Sequence, residues 1–133
     1  MGLVFVTRTR EPEADEVESR APLARINYGG VYFFLYPFIL RLRDQTGELI
    51  DPQQSAFFAG PALDRLAIFL AESQALASAQ PDTWEQRVAT RAGAGDVVYQ
   101  STSRSDLLAL LGILAAALEL AREQHMGVMF WGE

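Results

Sequence analysis

The sequence predicts an α+β protein: a small single domain over residues 1–133, with a mixed sheet of about four strands, two main helices and a C-terminal β-α-β unit. Three observations carry this. Short apolar runs rich in β-formers stand near both ends, at residues 3–6 and 128–131. Two long stretches, 61–78 and 106–124, have helical periodicity. Half of the 133 residues are hydrophobic, enough for one core in a chain of this size.

Taken in order, residues 3–6 (LVFV) read as an opening strand. Residues 11–22, EPEADEVESRAP, set five acids and two prolines against the aliphatic Val17, and predict a flexible, solvated loop. Gly29 and Gly30 mark a turn. The unbroken aromatic and β-branched run at 31–36, VYFFLY, then predicts a central strand buried on both faces. From Pro37 two periods compete. Phe38, Leu40 and Leu42 alternate with Arg41 and Arg43 as in a strand, whereas Phe38, Ile39 and Leu42 share a helical face, with Pro37 in the first turn and Gly47 as cap. The reading leans to a short helix over 37–46 and leaves strand open, with a brief extended piece at 48–51.

Residues 61–78 predict an amphipathic helix. Pro61 suits its first turn, and Leu63, Leu66, Ala67, Leu70 and Ala77 oppose Asp64, Arg65 and Glu72. Asp82 or Thr83 can cap a short helix around Trp84, a plug for the core, before a flexible Ala/Gly linker at 90–96. Residues 97–101 read as a strand, Ser105 as the cap of the 106–124 helix, Gly127 as its end and 128–131 as the last strand. A crossover of this length predicts a right-handed β-α-β unit.

The 106–124 helix has no charge from Leu107 to Leu118, yet it falls short of the ~20 apolar residues a membrane span needs. Leu107, Leu110, Leu111, Leu114 and Leu118 form one face, which belongs on the sheet. Ala109, Gly112 and Ala116 stand opposite, flanked by Leu108, Ile113 and Leu120. A helix apolar nearly all round is covered on both sides, and a mid-helix glycine costs about 1 kcal/mol, so close packing at Gly112 is expected. The sequence favours the 61–78 helix as the cover; the alternative is a homodimer seam through Gly112 and Ala116. Tyr28 and Tyr32, which with Tyr36 recur every four residues, and Trp131 complete the candidate interface.

Composition removes several chemistries. With no cysteine there are no disulfides, iron–sulfur clusters or Cys-based zinc sites. A net charge of −6 argues against nucleic acid as partner. The amino terminus lacks the pattern of a secretory signal, so a cytoplasmic location and no membrane partner are expected. His125, the single histidine, is expected in the last turn of its helix, where the dipole favours a cation. Lysine is absent, which removes Schiff-base chemistry and the phosphate-loop reading of the linker. Glu48 with Asp51, and Asp82 with Glu85, are neighbouring carboxylates without a spacing that specifies catalysis. No catalytic or metal-binding residue and no cofactor is assigned. The best small-ligand candidate is Ser103, Arg104 and Ser105, where hydroxyls, a guanidinium and free helix N–H groups would suit an anion.

The order YPFILRLRDQTGELIDP, an amphipathic helix, Trp84 and a leucine-rich helix running into GVMFWGE resembles, in layout, small single-domain bacterial proteins found as immunity partners of polymorphic toxins. The resemblance rests on no diagnostic motif and assigns no functional residue. It implies a non-enzymatic protein that binds another protein, such as a basic toxin or effector. The alternative is an anion- or metabolite-binding protein, or an enzyme, that uses residues 101–105 with Arg104.

Overall fold

The first and last strands lie side by side in the middle of the main sheet, and the order of the other elements follows from that pairing. The computed structural model describes residues 2–8, 24–27, 29–88 and 97–132. Along the chain run β1 (Gly2–Arg8), β2 (Ala24–Asn27), α1 (Gly30–Thr46), β3 (Ala56–Phe58), α2 (Pro61–Ser78), β4 (Thr83–Val88), β5 (Val98–Ser103), α3 (Arg104–Glu123) and β6 (Gly127–Gly132). The α+β class is as the sequence predicts. The acidic segment at 11–22 and the linker at 90–96 lie outside the described residues.

The main sheet has the order β2-β1-β6-β3, and each of its pairs is antiparallel. The expected mixed sheet and the parallel β-α-β unit are therefore corrected. Strand, helix and strand do occur in succession as β5, α3 and β6, but β5 pairs with β4 in a separate two-stranded sheet. The reason is that β6 has both edges occupied, by β1 and β3, so no edge remains for β5. Period-two alternation turns Ile26, Ala56, Phe58, Val128 and Phe130 to the helices, and all five are buried. Phe58 and Phe130 meet edge to face at 5.8 Å.

Helix α1 absorbs residues 31–36, which the sequence assigns to a strand. The element is helical, and Tyr32, Phe34 and Leu35 are buried while Val31 and Phe33 are half-buried and Tyr36 is exposed. One side packs on α2 and the other under the β4–β5 hairpin, where the Trp84 and Phe34 rings meet tilted at 5.5 Å. Trp84 thus plugs the core from a strand, not from the short helix expected. Pro37 stands inside α1, not in its first turn. An internal proline removes a helical hydrogen bond and costs about 3 kcal/mol. Burial of Tyr32, Phe34 and Leu35 before it, and of Ile39 and Leu42 after it, holds the helix continuous. Gly47 closes α1 in the left-handed conformation, φ 81°, and donates its N–H to Arg43 O at 2.7 Å.

The start of α1 has no cap of its own, and the hairpin supplies one. The Gly30 N–H is bonded to Oε1 of Gln100, 70 residues away. The approach is so close that a Cβ on Gly29 would meet the Gln100 amide and one on Gly30 would meet Oγ1 of buried Thr102. Glycine is needed at both positions because another element occupies the side-chain space. Gly30→Ala is expected to lower stability by about 1–3 kcal/mol in urea unfolding, with part of the loss restored when it is combined with Thr102→Ala.

Candidate functional site

At the start of α3, Ser103 is the N-cap, in place of the expected Ser105: its Oγ accepts from the Asp106 N–H at 3.3 Å. The Ser105 hydroxyl lies 3.0 Å from that of Ser103. Arg104 turns back to the α2–β4 connection. Its Nη1 donates to Gln80 O at 2.9 Å and its Nη2 to Asp82 Oδ1 at 2.6 Å, while its N–H donates to Asp82 O at 2.9 Å. The three residues come together as the sequence placed them. The guanidinium is engaged in tying the base of the hairpin to the end of α2.

Of the candidate interface residues, Tyr32 is a core residue, 2% exposed, whose hydroxyl donates to Ile50 O at 2.9 Å. It presents no surface to a partner. Tyr28 lies outside the described residues. Trp131 is half-buried on the sheet face away from the helices, next but one to Met129, which is opposite Phe57. Gly112 and Ala116 are exposed.

The expectation that α2 covers Gly112 is corrected. Helix α2 does run antiparallel beside α3, with Arg122 paired to Asp64 at 2.8 Å at one end and Arg104 reaching Gln80 at the other. Yet no atom comes within 4 Å of where a Cβ on Gly112 would stand. Leu107, Leu111, Leu114 and Leu118 are buried, as expected, and the opposite stripe of Ala109, Gly112, Ile113, Ala116 and Leu120 is open to solvent. The helix buries one side and leaves an apolar face on the other. Leu110 of the expected sheet-facing set is half-buried.

Sequence reasoning missed a cleft of about 340 Å³ between the start of α2 and the end of α3. Its polar lining is Asp64, Arg122 and His125, around Ala59, Gly60, Leu63, Ala121 and Met126. No spacing pattern joins residues 59–64 to 121–126 in the sequence; only antiparallel packing brings them together. The Asp64–Arg122 pair neutralises its two charges, so the cleft selects neither anions nor cations strongly. His125 lies beyond the helix, not in its last turn. With φ 54° it occupies the left-handed position that glycine usually takes, and the Met126 N–H closes the end on Ala121 O at 2.8 Å. This turn, rather than Gly127, ends α3.

Among the described residues no group of three or more His, Cys, Asp or Glu could hold a metal, no buried side-chain polar atom lacks a partner, and no helix is long and apolar enough to cross a membrane. No family model, curated protein or solved structure matches the chain. Large apolar side chains stand exposed at Val97, Val98 and Tyr99 by the hairpin, at Ile68 and Leu76 of α2, and at Ile113 and Leu120 on the outward face of α3, where small residues continue the stripe.

Two substitutions test these placements. Gly112→Ala should raise stability by up to about 1 kcal/mol, because helix propensity improves with nothing to obstruct the methyl group; covered packing at Gly112 would instead make it destabilising. His125→Gly should also raise stability by up to about 1 kcal/mol by relieving the left-handed conformation. Thermal or urea unfolding reads both.

Proposed function

We propose that this protein is a non-enzymatic, cytoplasmic binding domain that acts by capturing another protein, in the manner of an immunity protein against a toxin or effector. One observation supports the reading: the apolar stripe of α3 remains open after α1, α2 and both sheets have packed. Contiguous exposed apolar patches rimmed by polar residues mark interaction sites more often than singly scattered apolar side chains do. The anion-binding alternative draws less support, because Arg104 is already engaged by Asp82 and the Gln80 carbonyl.

Affinity capture of the tagged protein from its own cells at low salt, with the complex sized by light scattering, tests the reading. The expected result is one stoichiometric protein partner and a melting temperature indifferent to phosphate and small carboxylates. Recovery of the chain without a polypeptide, together with saturable stabilisation by phosphate that Arg104→Ala abolishes, would favour the alternative instead.

A further inference from the structure

We propose that the outward face of α3 is a docking site for an amphipathic helix of a partner protein whose apolar stripe is flanked by Lys or Arg. This inference rests on the protein-binding reading above and assigns its surface and the chemistry of its partner. The stripe Ala109, Gly112/Ile113, Ala116 and Leu120 follows one helical face over about 17 Å. Ile113 and Leu120 are 42% and 36% exposed, large enough to anchor a partner, and the missing side chain at Gly112 lets a second backbone approach closely.

The rim decides the sign of the partner. Asp106 stands at one end of the stripe and Glu119 and Glu123 at the other, and among the described residues none of them belongs to an ion pair. The one arginine in the last turn, Arg122, is held by Asp64 of α2. Glu119 and Glu123 also lie toward the negative end of the helix dipole, where helix stability alone would favour cations. A basic flank on the partner would neutralise both unfavourable placements.

A second copy of the chain fits poorly. Parallel α3 helices would set Glu123, the acid nearest the midline of the stripe, at the level of its own counterpart. In either orientation the carboxylates of Asp106, Glu119 and Glu123 from both copies would rim one seam, with Arg122 of each copy held by its own Asp64, which opposes association.

The test uses the full chain and three labelled peptides of about twenty residues, long enough to become helical when docked. One has an apolar stripe flanked by Lys and Arg, one has the same stripe flanked by Glu, and one has the basic composition in scrambled order. Anisotropy titration at low salt should show binding of the first alone, weakening as salt rises. Ile113→Asp and Gly112→Arg should each weaken it by roughly tenfold or more, while Val98→Asp on the hairpin leaves it unchanged. Equal binding of the scrambled or acidic peptide, or no effect of the α3 substitutions, would overturn the assignment. So would a dimer of the chain that Ile113→Asp dissociates. If the cellular partner is still captured by Ile113→Asp, the surface is wrong and the protein-binding reading stands; if wild type captures no protein, that reading itself falls.

Discussion

Strand β6 has no free edge, and the remaining architecture depends on that constraint. With β1 on one side and β3 on the other, every backbone pairing direction of β6 is used, and its Val128 and Phe130 side chains are fully enclosed. Strand β5, although joined to β6 through a single helix, has to find another partner and forms a hairpin with β4. That hairpin lies across α1 and gives it a second covered side. The aromatic start of α1 is covered on two sides and clasped by Gln100 and Thr102, while Tyr36, Pro37, Arg41 and Arg43 stay exposed.

The legible parts of the fold were those whose pattern has one physical meaning. Helix α2 matches the 61–78 expectation because its apolar face and Pro61 agree, and Gly47 ends α1 as its conformational freedom suggests. Residues 31–36 were not legible, since a continuous apolar run cannot distinguish a buried strand from a buried helix, and Pro37 looked like a helix start. The short strands β2 and β3 carry too few residues to show alternation, and Trp84 gave no sign of belonging to a hairpin. At the candidate site the stripe on α3 was visible from its spacing. Whether it was covered was not, because that depends on how α2 is rotated beside it.

Arginine is the only basic residue type besides His125, and its placement is informative. Arg41 joins α1 to Glu72 of α2, Arg122 joins α3 to Asp64 of α2, and Arg104 joins α3 to Asp82 beyond α2. Solvent-exposed pairs of this kind contribute about 0–1 kcal/mol each, so their sum matters less to stability than their directions do to orientation. All three converge on α2 and its exit, which holds the helical layer in register while leaving the outer side of α3 unengaged.

The clasp at Gly30 also bears on how the chain acquires its structure. Phe5 pairs with Phe130, and the Gly30 N–H waits for Gln100, so the contacts that close the sheet and cover α1 join distant parts of the chain. Such topology slows folding, because loop-closure entropy is lost before the long-range contacts form. During synthesis the aromatic turns of α1 leave the ribosome well before the hairpin that shields them. Over that interval the nascent chain displays VYFFLY without its cover, an apolar surface open to off-pathway association.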